Sequence, residues 1–201
     1  MDPPSNYPDF NALASRIGGS IHARREGEAI DRYFGRLREI GVTVHEQVRS
    51  ILSSPDSHPN VLHEALIGIF GEPKHVRLVT TNFDRHFTTA ATNRFGATCP
   101  EVFFAPALPV GSDFAGIVHL HGSVEKASNR LVLTDADFGR AYITEGWATQ
   151  FLQRLFSRYV ILFVGYSHQD MLLNYLARGF TAGSLGPGRF ALTQPDDDAR
   201  W

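Results

Sequence analysis

The 201-residue chain has one cysteine, Cys99. That excludes an internal disulfide and any zinc site built from several cysteines. Neither charge sign dominates: 19 Lys and Arg stand against 21 Asp and Glu, a formal net charge of -2. The basic footprint of a nucleic-acid binder is missing. No apolar run approaches the roughly 18 residues of a membrane span. The opening Met1-Asp2-Pro3-Pro4 lacks the basic-then-apolar order of a secretory leader. The expectation is a cytoplasmic protein with no direct nucleic-acid partner and no membrane partner. Cys99, just before Pro100, reads as a small apolar filler.

With 43% apolar and 20% charged residues, the chain has the composition of one globular domain with a real core. From Asp9 to about Phe70 the apolar spacing is helical. Phe10, Leu13 and Ile17 share a face, as do Ile30, Phe34 and Leu37, then Val44, Val48 and Ile51, then Leu62, Leu66 and Phe70. Asp9 and Asn60 are expected N-caps, and Gly41 and Gly71 expected stops. After Gly71-Glu72-Pro73 the pattern changes. Strands are expected over about 76–81, 101–104, 116–121, 131–133, 159–164 and 189–193, with helices over about 83–95, 135–158 and 169–178. This alternation predicts an α/β fold with a mostly parallel sheet flanked by helices, behind a helical N-terminal layer. A single domain over 1–201 is expected, helical over about 8–72 and alternating over about 75–194.

Three of the expected strands stop in polar residues: Thr80-Thr81-Asn82-Phe83-Asp84, His119-Leu120-His121-Gly122-Ser123, and Gly165-Tyr166-Ser167-His168-Gln169-Asp170. In open α/β sheets ligands lie beyond the carboxyl ends of parallel strands, so these endings mark one composite site. Asn82 and Asp84 are two residues apart, and an extended run puts both on one side with Phe83 opposite. They suit orienting a ribose or a water; the structural alternative is a turn at Asn82 and a helix cap at Asp84. His119 and His121 repeat that spacing. A histidine there suits a general base near neutrality, and a His-x-His strand also supplies metal ligands. Gly165 to Ser167, at a helix start, offers backbone N–H groups to phosphate or ribose oxygens. A hydrolase nucleophile elbow needs a second glycine where Gln169 stands, which disfavours a serine hydrolase.

Taken together, these three segments, in this order, resemble the sirtuin-like family, particularly its bacterial antiviral-defence branch. The resemblance covers roughly residues 76–193, and Leu131 to Tyr142 looks like the family's insertion after its histidine motif. It implies a Rossmann-like domain that binds NAD as substrate and breaks the nicotinamide–ribose bond. The implied catalytic residues are Asn82, ordering water or ribose, and His121, the general base. The implied NAD contacts are Thr80, Thr81, Asp84, Gly122, Gly165, Ser167 and Asp170. His119 is a secondary candidate with a structural role. With a single cysteine, no zinc is expected, and NAD hydrolysis is favoured over protein deacylation. The family opens with a strand and a glycine-rich loop, and nothing of that kind precedes Asp9. The domain is therefore expected to be incomplete at its N-terminus, and also at its C-terminus, where few residues follow the last strand. Partners implied are NAD and a second copy of the chain or a defence-system protein. Two other readings stand beside hydrolysis. One is a catalytically impaired binding or assembly module that keeps the pocket; the other is a metal-dependent hydrolase using His119, His121 and Asp84 with His168 or Asp170.

Overall fold

A computed structural model of the chain describes residues 5–19, 22–110, 113–165 and 187–192. The chain divides into two compact units, Met1–Gly146 and Trp147–Trp201. In the first, four helices come before any strand: α1 (Phe10–Gly18), α2 (Ile30–Glu39), α3 (Val44–Leu52) and α4 (Val61–Gly68). Both expected caps form. Asp9 Oδ1 accepts the Ala12 N–H at 2.7 Å, and Asn60 accepts the N–H groups of Leu62 and His63. The His63 ring accepts the Asn60 N–H in return, which closes a capping box. Leu13, Ile17, Phe34, Leu37, Val44 and Val48 form one buried core with Phe83, Leu131 and Leu133. Phe10 is 44% exposed, although its ring lies against Phe34 and Phe83.

The fourth helix departs from the expected phase. Its buried face carries His63 and Ile67, whereas Leu62 is exposed. The cause is the cap: His63 closes it and packs against His86 and Phe87, which turns the polar residue inward. The helix also ends at Gly68, short of Gly71.

The sheet that follows is parallel, with β1 (Arg77–Thr80) and β2 (Val102–Phe104) on either side of β3 (Gly116–His119). All four residues of β3 are buried, as befits a central strand. Helix α5 (His86–Phe95) makes the connection out of β1. A side chain at Gly116 would come within 2.4 Å of the Glu101 carbonyl oxygen, so only glycine permits this close strand approach. These elements make a mixed α/β, Rossmann-like fold with a parallel sheet.

Three expected boundaries move. The strand over 116–121 ends at His119, where a turn closed by the Gly122 N–H to the His119 carbonyl takes over. Leu131 to Leu133 are buried but form no strand; Val132 donates to the His121 carbonyl instead. The long helix over 135–158 breaks into α6 (Asp135–Gly139), a π-helical turn (Arg140–Thr144) and α7 (Trp147–Arg158). The last of these belongs to the second unit. There β4 (Ile161–Val164) pairs in parallel with β5 (Arg189–Leu192), and the Arg189 guanidinium lies 4.8 Å from the Phe156 ring centre. The expected helix over 169–178 lies outside the described residues.

Asp137 of α6 fastens that helix to the helical layer. Its carboxylate accepts from His45 Nε2 at 2.7 Å, from the Thr134 N–H at 3.0 Å and from Arg140 at 2.7 Å. Burial alone raises a carboxyl pKa, but the hydrogen bonds from His45 and Thr134 outweigh it and hold Asp137 well below the usual carboxylate range. A folded-state pKa below the unfolded one means the stabilisation is complete above about pH 4 and is lost as pH falls further. Replacing Asp137 by Asn is expected to cost about 2 kcal/mol in urea unfolding at pH 7. The gap to the wild type should narrow below about pH 4, and a pH-independent gap would show that the carboxylate charge is not what holds α6.

Candidate active site at the ends of two parallel strands

Thr80 of β1 pairs with His119 of β3 in a parallel register. The two chains therefore leave the sheet side by side at one edge, and the Leu120 N–H still donates to the Thr80 carbonyl at 2.9 Å. Just past the strands the Thr80 hydroxyl accepts the Asn82 N–H at 3.1 Å, a local turn that stops the ladder. Phe83 is drawn into the core. Its carbonyl takes the Val124 N–H, which ties the two strand exits together.

The expected site residues fall into different surroundings. Asn82 is exposed at the edge, Thr81 is half-buried and Thr80 is buried. Asp84 is buried and accepts the His86 N–H at 2.9 Å at the start of α5, from one residue before the N-cap position, which Arg85 holds. Its charge also acts on Tyr7, His63, His86 and His119. Asp84 thus looks toward the helical layer while Asn82 looks outward.

The two histidines also part company, because the strand ends between them. His119 is fully buried and stacks on Phe104 with ring centres 5.3 Å apart. Its Nδ1 lies 3.4 Å from the Asn82 carbonyl oxygen and its Nε2 3.5 Å from the Thr88 hydroxyl. A carbonyl only accepts, so Nδ1 carries the proton. His121 is 5% exposed. Its Nε2 lies 2.7 Å from the Tyr142 hydroxyl, and the Phe138 ring meets it edge-on at 5.2 Å. Burial pushes the His121 pKa down to about 4, so the ring is neutral at pH 7. No described residue hydrogen-bonds its Nδ1.

Gly122 is among the NAD contacts that the resemblance implies. Its φ is 88°, and a Cβ there would come 2.6 Å from the Arg130 carbonyl oxygen. The glycine serves the turn and the packing of the following loop. Gly165 follows β4 in the second unit and is exposed, with φ 64°; Ser167 and Asp170 lie outside the described residues. Among the described residues no three His, Cys, Asp or Glu side chains converge as metal ligands, and His168 lies outside them. Tyr142 and Phe138 were missed as neighbours of His121. Their only sequence signal is an aromatic pair four residues apart in a helical segment, which reads equally well as core.

Comparison with known families resolves which fold this edge belongs to. The model of the SIR2-like domain matches residues 76–200, which begins at β1 and takes in all three polar strand endings. The chain belongs to the SIR2-like domain family. SIR2-like domains bind NAD, so an NAD-related function follows at that level. The chain is also 33% identical over 112 residues to the "Uncharacterized protein y4cA" of Sinorhizobium fredii (strain NBRC 101917 / NGR234), over 49% of this chain and 9% of that protein. The chain thus spans a small part of the length of that relative. Helices α1 to α4 precede the SIR2-like match, yet their core residues pack against Phe83, Leu131 and Leu133 inside it.

Because Gly122 shapes the turn that carries His121, Gly122→Ala should cost about 1–3 kcal/mol through its positive φ alone. Thermal unfolding checks this; a variant as stable as the wild type would mean the turn relaxes without the left-handed conformation.

Proposed function

We propose that this SIR2-like domain hydrolyses NAD to nicotinamide and ADP-ribose. The observation that carries the reading is the in-register pairing of Thr80 with His119, which brings Asn82 and His121 out at the same sheet edge. In the reaction the bond from ribose C1′ to the nicotinamide nitrogen breaks, nicotinamide leaves with the bonding electrons, and a water oxygen bonds to C1′. The water's surplus proton goes to a base. Asn82, exposed at the edge, orients that water or the ribose through its amide. His121, neutral and with no described residue hydrogen-bonded to Nδ1, takes the proton.

With a pKa near 4, His121 is a weak base at neutral pH. That suits a proton made acidic by the positive charge that develops on the ribose as nicotinamide departs. Thr80, Thr81, Asp84, Gly122, Gly165, Ser167 and Asp170 complete the proposed NAD-contacting set. On this reading the chain works in the cytoplasm in antiviral defence, with a second copy or a defence-system protein as partner; the family resemblance is the support for that setting. The burial of His121 beneath Phe138 and Tyr142 favours a second reading, a binding or assembly module that turns over no NAD.

Nicotinamide release by the purified chain separates the two. Asn82→Ala and His121→Ala should each lower it by about 100-fold or more while leaving thermal unfolding nearly unchanged for Asn82→Ala. Full activity in both variants would end the hydrolase assignment. A folded chain that releases no nicotinamide and binds neither NAD nor ADP-ribose in calorimetry would favour the binding module.

A further inference from the structure

Tyr142 lies in the π-helical turn Arg140–Thr144, 6% exposed, with its hydroxyl 2.7 Å from His121 Nε2. Phe138, one turn earlier, stacks on Tyr142 at 6.0 Å and presents its own ring to His121. Turns of this wider kind recur where a helix must place one side chain at a functional site. The imidazole is thus held on one edge by a hydroxyl and by the aromatic ring of Phe138, with one nitrogen occupied and no described residue hydrogen-bonded to the other. When His121 accepts a proton at Nδ1, both ring nitrogens become donors. The Nε2–H is then buried and needs an acceptor, and the Tyr142 oxygen is the partner the structure provides.

We propose that Tyr142 is a positioning residue for His121: its hydroxyl fixes the ring so that Nδ1 is the proton-accepting nitrogen, and it accepts the Nε2–H throughout. The catalytic consequence rests on the NAD-hydrolysis reading. No charged group among the described residues acts on His121. The carboxylate nearest in sequence to this aromatic pair, Asp137, is committed to His45, Thr134 and Arg140. Burial lowers the basicity of the imidazole, and the tyrosine hydroxyl is its polar partner among the described residues.

Tyr142→Phe removes the hydroxyl and keeps the ring. In the full chain it should lower kcat for nicotinamide release by roughly 10- to 100-fold, the worth of one buried donor left unpaired, with KM for NAD little changed. The acid limb of the kcat profile should move to lower pH, because the imidazolium loses its acceptor. A readout independent of turnover is long-range proton–nitrogen NMR of the His121 ring at pH 7 without NAD, assigned by the signal lost in His121→Gln. The wild type should carry its proton on Nε2 alone, and Tyr142→Phe should show a mixture of tautomers. A wild-type ring protonated on Nδ1, or a tautomer unchanged by Tyr142→Phe, overturns the positioning role whether or not the chain is active. A folded wild type that releases no nicotinamide overturns the hydrolysis reading, and release that survives His121→Ala overturns His121 as the base; both outcomes leave the NMR result standing.

Discussion

Pairing of β1 with β3 in a parallel register, Thr80 opposite His119, is the constraint on which the candidate site depends. A slip of one residue would reverse which side chains face each layer. Phe83 would then leave the core it shares with Phe34 and Leu133, and Asn82 would lose its outward position. The register is held at both ends. At its start the Gly116 N–H donates to the Val76 carbonyl at 2.7 Å, and at its end the Val124 N–H finds the Phe83 carbonyl. The same contacts that make the sheet coherent thus deliver two polar endings to one edge.

What lies around that edge is divided between support and exposure. Asp84 and His119 face inward, one accepting the first N–H of α5 and the other stacked on Phe104. A buried carboxylate and a buried imidazole without such partners would be costly, and their hydrogen bonds are what permit them to sit beneath the site. His121 differs: among the described residues it has one hydrogen-bond partner, Tyr142, and none at Nδ1. Burial lowers its basicity, with no charged neighbour among the described residues to restore it. On the proposed hydrolysis reading, such a base takes up a proton readily only when the proton donor is itself strongly acidified, as it is when positive charge develops on the ribose.

The parallel sheet and the caps at Asp9 and Asn60 were legible in the sequence, because apolar runs with polar ends and short capping side chains act locally. The inward phase of α4 was not. Hydropathy ranks Leu62 above His63, and only the contact of His63 with His86 and Phe87, more than twenty positions away, reverses the order. Leu131 to Leu133 failed as a strand for a related reason. Three consecutive buried apolar residues satisfy either a strand or a covering loop, and the choice fell to the turn at Gly122, whose neighbour is Arg130. For the site, the exit of Asn82 and His121 at one edge followed from strand endings. The shared face expected for His119 and His121 did not survive, since an extended pattern of period two holds only while the strand continues.

Asp137 connects these two levels. It accepts from His45 of α3 and closes the cap of α6 with Thr134, and one residue later Phe138 begins the aromatic pair that covers His121. The helical layer lies before the SIR2-like match, but through this carboxylate it fixes the segment that carries Tyr142. The environment of the proposed base is therefore set by residues on both sides of the family boundary. A SIR2-like segment cut at residue 76 would keep Asn82 and His121 and lose the His45 contact that anchors α6, and with it part of what determines how His121 is held.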